Sequence, residues 1–155
     1  MLIISYLTIE VIKMKTSFHF LVFKAFHAQR NKIRQNMDAY DLYPGQPKVL
    51  RYIAIHSNCK LKDIAKECDV ECATVSKLLN NLEDKGMLTR HVDQNNKRAL
   101  QVNITKKGSA ALDQWNAHCL EVEKLSLQGF SDAERAQFEE YLCRMYENLS
   151  GRTIE

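Results

Sequence analysis

Apolar residues recur about every 3.6 positions in the early part of the chain, which predicts a helix. The pattern runs from about Ser17 to Tyr40 and is long enough for about six turns. Its members are Phe18, Val22, Ala25, Phe26, Ile33 and Met37. The segment 43–47 carries two prolines and a glycine, so it predicts a break before the next element.

Three further apolar stripes of helical period follow before the chain reaches Gly86. Helix by helix, their inward-facing residues are Val49, Leu50, Ile53 and Ala54; Leu61, Ile64, Ala65 and Cys68; and Val75, Leu78, Leu79 and Leu82. The last stripe ends at Gly86, and glycine is the residue favoured just past a helix end. Because residues 69–71 leave room only for a tight turn between the last two helices, the pattern indicates a helix-turn-helix.

The hydrophobic period changes from helical to twofold after Gly86. Residues 88–92 and 100–104 alternate apolar with polar side chains, and the polar segment 93–98 between them is rich in turn formers. This arrangement predicts a β-hairpin.

Two helices are predicted after the hairpin. Thr105 is a candidate N-cap for a helix that runs to about Gln128. Ser131 and Glu134 have capping-box spacing and open the last helix. The residues predicted to face inward on that helix are Phe138, Leu142, Met145 and Leu149. The predicted fold is therefore mainly α with a small β-hairpin (α+β), in the order four helices, hairpin, two helices.

Charge is distributed unevenly along the chain. The net charge is only +3, but residues 44–108 carry twelve Lys or Arg against seven Asp or Glu. The rest of the chain is slightly acidic. A basic middle between acidic arms is typical of a nucleic-acid-binding module on a separate scaffold, although solvated surfaces also show chance unevenness.

Five scattered cysteines without CxxC spacing favour a reducing cytoplasm over a disulfide-built protein. The apolar N-terminus lacks the basic region and cleavage site of a signal peptide, and no run is long enough to span a membrane. Residues 1–16 are interpreted as an N-terminal extension, and Met14 is a candidate natural start.

The fourth helix offers a polar face opposite its buried stripe. This face combines short polar side chains, two amides and one cation, a set that can enter a major groove and pair with base edges. Its residues are Ala73, Thr74, Ser76, Lys77, Asn80 and Asn81. Because recognition helices contact bases through their N-terminal residues, Thr74, Ser76 and Lys77 are the first candidates for base contacts. A plain amphipathic helix with a solvated side is the alternative.

Further cations flank this helix in the sequence. Lys60 and Lys62 begin the third helix, where a DNA phosphate can bind. Asn95, Lys97 and Arg98 lie at the hairpin tip, where they can contact the DNA backbone or reach a minor groove.

Residues 47–108 resemble the winged helix-turn-helix of the MarR family. The matching residues are Leu61, Ile64 and Ala65; Ala73 to Leu78; Leu82, Glu83, Lys85, Gly86, Leu88 and Arg90; and, in the wing, 93–98, Val102, Ile104, Thr105 and Gly108. One departure is Asn96, because the family usually has an aspartate two residues before the wing arginine. The resemblance implies a DNA-binding domain at 44–107 and a helical dimerisation lobe formed by 17–43 and 108–150.

The resemblance also implies a homodimer, whose two recognition helices would bind a near-palindromic operator on double-stranded DNA. The expected function is a transcriptional regulator, a repressor, that a small-molecule or redox signal releases from DNA. Aromatic residues that could line an effector pocket are Phe26, Tyr40, Tyr43, Tyr52 and Trp115. Core packing explains these rings equally well.

The sequence also contains candidate residues for other signals. Cys72, near the start of the fourth helix, is a candidate redox thiol. The histidines and cysteines show no convincing metal-ligand spacing, so neither a metal nor a cofactor is expected. The sequence has no phosphate-binding glycine loop and no hydrolase or metalloprotease motif, which argues against an enzyme. A winged helix that binds only proteins is the main alternative, but such modules often lack the wing cations.

Overall fold

The computed structural model describes residues 16–56, 59–92 and 100–154. Within these ranges the chain forms six α-helices, one short 3-10 helix and a two-stranded sheet. The helices are α1 (Phe18–Arg34), α2 (Gln46–Ile55), α3 (Leu61–Glu67), α4 (Cys72–Asp84), α5 (Lys106–Ser126) and α6 (Asp132–Ser150), and the strands are β1 (Leu88–Val92) and β2 (Leu100–Ile104). The predicted order and the α+β class are confirmed.

Helix α1 is shorter than the sequence pattern predicts. It ends at Arg34, and Asn36 adopts a left-handed conformation with φ 65°. The helix ends because Gln35 is extended, with ψ 134°, and asparagine tolerates the left-handed conformation at residue 36 better than most residues. The chain then forms a 3-10 helix, Met37–Tyr40. The prediction of one continuous helix to Tyr40 is therefore wrong, although Met37 is buried as the stripe suggested.

The core of the first compact unit, which ends at Cys119, lies between α2, α3, α4 and the sheet. Its fully buried side chains include Leu42, Val49, Leu50, Ile64, Val75, Leu79, Leu82, Met87, Leu88 and Val102. These are mostly the residues predicted to face inward. Ala54 is an exception, because it is exposed on the outer side of α2.

Two left-handed residues form the predicted helix ends around α4. After α3, Asp69 has φ 50° and the Val70 N–H donates to the Ala65 carbonyl at 3.0 Å. After α4, Gly86 has φ 69° and the Met87 N–H donates to the Leu82 carbonyl at 2.8 Å. Both hydrogen-bond patterns satisfy carbonyls that a helix end leaves unpaired. The helix-turn-helix is confirmed.

The two strands pair antiparallel, with Leu88 opposite Ile104 and Arg90 opposite Val102. The hydroxyl of Thr105 accepts a hydrogen bond from the Gly108 N–H at 3.1 Å and donates to the Gly86 carbonyl at 2.7 Å. Thr105 therefore caps α5, as predicted, and also ties the start of that helix to the end of α4.

The second compact unit begins at Leu120 and contains the end of α5 and all of α6. The predicted capping box is present. The Ser131 N–H donates to the Glu134 carboxylate at 2.8 Å, and the Ser131 hydroxyl accepts from the Glu134 N–H at 3.3 Å. The hydrogen bond from the Ser131 N–H is the main reason that the pKa of Glu134 is lowered.

The predicted inward face of α6 is not covered within this chain. Leu142 is 48% exposed, Leu149 is 77% exposed, and Phe138 is also exposed. The prediction that these side chains face inward is therefore wrong for the single chain. Across the part of the chain that the structure describes, no helix has the length and hydropathy needed to cross a bilayer.

Candidate nucleic-acid interface

Helix α4 presents the polar face that its sequence predicts. Val75, Leu79 and Leu82 are fully buried on the opposite side, and Leu78 is half-buried. The predicted contact residues Ala73, Thr74, Lys77, Asn80 and Asn81 are exposed, and Ser76 is half-buried. The exposed residues contain no carboxylate before the end of the helix, so this face suits an anionic surface.

The start of α3 lies at the surface, as does the start of α4. Lys60 is the N-cap residue of α3, and its N–H donates to the Asp63 carboxylate at 3.3 Å. The side chains of Lys60 and Lys62 are exposed. Both remain available for a phosphate. The wing residues Asn95, Lys97 and Arg98 lie outside the described residues.

A buried glutamine holds the last turn of α4. Gln46, the first residue of α2, is only 1% exposed. Its side-chain oxygen accepts a hydrogen bond from the Tyr43 N–H at 2.8 Å, and its side-chain nitrogen donates to the Asn81 side-chain oxygen at 2.5 Å. Asn81 was predicted to contact DNA, whereas no role was predicted for Gln46. The one feature of the sequence that could have indicated Gln46 is its position between Gly45 and Pro47 at the start of a helix.

An ion pair joins α4 to the first strand. The Arg90 guanidinium donates to the Glu83 carboxylate through Nε at 2.8 Å and also through a terminal nitrogen. The Arg90 N–H donates to the same carboxylate at 3.1 Å. These contacts lower the pKa of Glu83, with the Arg90 side-chain hydrogen bond as the largest cause. Glu83 and Arg90, which both belong to the matching residues named in the sequence, are thus directly bonded to each other.

A second ionic network fixes the C-terminal end of α4. Lys85, the residue after the helix, places its ammonium 3.0 Å from the Asp41 carboxylate and 3.9 Å from the centre of the Tyr43 ring. Lys107 of α5 contacts the same carboxylate at 3.3 Å and donates to the Lys85 carbonyl at 2.9 Å. The hydrogen bond from Lys85 is the main cause of the lowered pKa of Asp41. This network was not predicted from the residue pattern.

The five candidate effector residues do not share one set of neighbours. Tyr40 and Trp115 both lie against His118, with ring centroids at 6.0 and 6.2 Å. His118 Nε2 lies 3.2 Å from the Ile33 carbonyl at the end of α1. The other three rings have separate partners: Tyr43 contacts Lys85, Tyr52 contacts His56, and Phe26 contacts His27. Of the five candidate effector residues, only Tyr40 and Trp115 share an aromatic neighbour among the described residues, which is His118.

The thiols fall into two groups. Burial raises the pKa of Cys59, Cys68 and Cys119, which keeps these thiols protonated. Cys72 and Cys143 are exposed, and Cys72 is the first residue of α4. Among residues 16–56, 59–92 and 100–154, no group of three or more His, Cys, Asp or Glu side chains could hold a metal ion.

Comparison with known proteins connects this geometry to regulators. Residues 42–100 match the family model described as the MarR family. The chain is 32% identical over 66 residues to the HTH-type transcriptional regulator YwhA of Bacillus subtilis (43% of this chain, 48% of that protein). It is 33% identical over 73 residues to the regulator BilQ of Clostridioides difficile (47% and 49%). The matched part thus spans about half the length of these relatives.

The fold as a whole is also that of solved regulators. The structure of the MepR–DNA complex of S. aureus matches with a TM-score of 0.74 and 26% identity, and the match covers 86% of this chain and 97% of that one.

Proposed function

We propose that this chain is a member of the MarR family of transcriptional regulators and acts as a cytoplasmic repressor that binds a near-palindromic operator as a homodimer. DNA binding, and a role as a regulator instead of an enzyme, are proposed from the similarity to that family and to the regulators YwhA and BilQ. The repressor role, the dimer, the effector and the individual DNA contacts are further parts of the proposal. The DNA-binding domain is assigned to residues 44–107.

The exposed face of α4 is the observation that carries the proposal. Its buried side is fixed by Val75, Leu79 and Leu82, and the Glu83–Arg90 pair holds its C-terminal half against the sheet. A helix held this firmly presents its polar face in one orientation, which base recognition requires. Thr74, Ser76 and Lys77 of that face are the proposed base contacts, and Lys60 and Lys62 are proposed phosphate contacts.

Exposed apolar side chains support the homodimer. On α1, Phe18 is 69% exposed, and Phe20, Leu21, Phe23 and Phe26 are also exposed. On α6, Phe138, Tyr141, Leu142 and Leu149 are exposed. Monomeric soluble proteins rarely leave so many large apolar side chains uncovered. A second copy that packs on residues 17–43 and 108–150 would bury both sets in one symmetric interface.

The proposed effector is a small aromatic molecule that binds beside Tyr40, Trp115 and His118. These rings lie where α5 meets the end of α1, in the lobe proposed for dimerisation. A ligand there would change the separation of the recognition helices if it bound one arrangement of the dimer more tightly. Oxidation of Cys72 is the alternative signal.

The experiment begins with a duplex that the wild-type protein selects from a randomised pool. Affinity is then measured at several salt concentrations for Lys77→Ala and for Lys124→Ala, a matched control. Lys124 lies on α5 in the second unit and pairs with Glu121. Lys77→Ala is expected to bind at least about tenfold more weakly, with a shallower salt dependence if Lys77 contacts a phosphate.

The control should retain wild-type affinity, because it removes the same charge from a different surface. If folded Lys77→Ala protein binds the selected duplex as tightly as the control does, α4 is not the DNA-reading element. If no duplex is enriched at all, the chain acts through protein partners.

A further inference from the structure

The side-chain amide of Asn81 has a direction that the hydrogen bonds around Gln46 determine. A backbone N–H can only donate, so the atom of Gln46 that receives the Tyr43 N–H is its oxygen. The other amide atom of Gln46 is therefore a donor, and the Asn81 atom that faces it at 2.5 Å is the oxygen. The NH2 group of Asn81 then points away from Gln46, and the Asn81 side chain is exposed.

This direction limits what Asn81 can recognise. An asparagine reads adenine with two hydrogen bonds, which use its oxygen as acceptor and its nitrogen as donor. The oxygen of Asn81 is engaged by a side chain that is itself fully buried and cannot turn away without leaving a polar group unpaired. The hydrogen bond to Gln46 therefore directs the Asn81 oxygen toward α2 and leaves the NH2 donors facing solvent. Asn80 differs, because its amide makes no hydrogen bond to another described residue.

We propose that the NH2 group of Asn81 donates a hydrogen bond to a DNA phosphate oxygen and that Gln46 is the positioning residue that orients the Asn81 amide. The inference rests on the proposed DNA-binding function of α4. Asn81 lies in the last turns of the helix, whereas base edges are contacted from the N-terminal end, so the acceptor facing it is the DNA backbone. Asn81 was predicted from the sequence as one of the groove contacts, without a direction for its amide.

The conformation of Gly45 keeps Gln46 close to Asn81. It precedes Gln46 with φ 92°, and a Cβ at this position would lie 3.2 Å from Leu78 of α4. The start of α2 thus packs directly on α4, one turn before Asn81. Any side chain at residue 45 would be strained in this conformation. Gln46 therefore reaches Asn81 from a backbone that has little freedom to move.

Three variants test the proposal on the duplex selected by the wild-type protein, on single-base-pair variants of it and on a random-sequence duplex. Asn81→Ala removes the donor. Asn81→Asp keeps an acceptor for Gln46 but faces an anionic oxygen outward. When ionised, the carboxylate of Gln46→Glu offers only acceptors, so Asn81 must turn its NH2 inward and its oxygen outward. Thermal unfolding confirms that each variant is folded, and Asn81→Ala alone suffices if the buried carboxylate of Gln46→Glu prevents folding.

We expect Asn81→Ala to weaken binding about tenfold, the usual effect of losing a hydrogen bond to a charged acceptor. Asn81→Asp and Gln46→Glu should weaken it further, because each turns an oxygen toward the phosphate. The loss should be equal for all duplexes, since a phosphate contact carries no sequence information.

Two results would overturn the proposal. One is wild-type affinity in Asn81→Ala, and the other is a loss confined to one base pair, which would make Asn81 a base reader. The Lys77→Ala variant shows whether only the role of Asn81 is wrong or the proposed DNA-binding function of α4 is wrong as well. If Lys77→Ala loses binding while the three variants do not, only the role of Asn81 and Gln46 is wrong.

Discussion

The backbone of Gly108 lies against the carbonyl of Met87 so closely that a Cβ at residue 108 would be 2.0 Å from the carbonyl oxygen. The same carbonyl accepts the Thr105 N–H at 3.0 Å. The first turn of α5 is therefore packed directly on the chain that leaves α4. This contact explains the glycine three residues after Thr105 in the matched string.

Replacing Gly108 with alanine is expected to destabilise the protein by a net amount of about 2 kcal/mol. Helix propensity alone would favour alanine by about 1 kcal/mol, because Gly108 lies within α5. The clash with the Met87 backbone should cost about 3 kcal/mol and reverse the sign. Urea unfolding measures the difference. Gly86→Ala is the control: no atom lies within 4 Å of its Cβ, so it should lose only about 1 kcal/mol from its left-handed backbone.

The Glu83–Arg90 pair should make the fold sensitive to acid. The pKa of Glu83 is lowered in the folded state, chiefly by Arg90, from the ordinary value of 4.5. Such a carboxyl stabilises the fold above its unfolded pKa, and the contribution is lost as pH falls through the lower folded pKa. Glu83→Gln should therefore be less stable than wild type at neutral pH. The difference should shrink below pH 4.5, as shown by urea unfolding at each pH. A constant difference across that range would contradict the role of the charge.

The exposed apolar face of α6 predicts that a charge there prevents dimer formation. Leu142→Lys and Leu149→Lys are expected to shift the protein from dimer to monomer in sedimentation, because an interface core does not tolerate an unpaired charge. Ile55→Lys is the matched control. Ile55 is 66% exposed on α2, outside the proposed dimerisation lobe, so its replacement should leave the dimer intact. Monomeric wild-type protein at micromolar concentration would refute the homodimer.

Thiol accessibility gives a further prediction. Cys72 should react rapidly with a thiol reagent in the native protein, whereas Cys59 and Cys68 should react only after unfolding, because they are buried and their pKa values are raised. Cys143 lies on α6 and is exposed in the single chain. If α6 forms the dimer interface, Cys143 should become reactive in the Leu142→Lys monomer. Equal reactivity of all five thiols in native protein would contradict the described core.

Local patterns predicted most of the fold because each rests on neighbouring residues. The stripe Val75, Leu79 and Leu82, the glycine at 86 and the capping box at Ser131 each specify an element through residues within a few turns. The break before Met37 was missed, because the apolar period continues through Asn36 while the backbone does not. The exposure of Leu149 was also missed. Periodicity identifies an apolar face but does not say which molecule covers it.

The polar contacts that position α4 could not be predicted in the same way. Asp41 and Lys107 are 66 residues apart, and Gln46 and Asn81 are 35 residues apart. Hydrogen bonds over such separations depend on how the helices pack, and neither charge nor amide pattern in the sequence specifies a partner. The residues of the candidate surface could therefore be predicted from the sequence, whereas the hydrogen bonds and ion pairs that position them are visible only in the structure.

The hydrogen bond between Gln46 and Asn81 also bears on protein engineering. Grafting residues 72–84 alone onto a related scaffold would move Asn81 without the glutamine that orients it, and the transplanted amide would be free to rotate. A chimera that also carries Gln46, on a scaffold with glycine before it, would keep the orientation. If the proposed role of Asn81 is correct, the unit that must be transferred for DNA recognition is thus discontinuous in sequence.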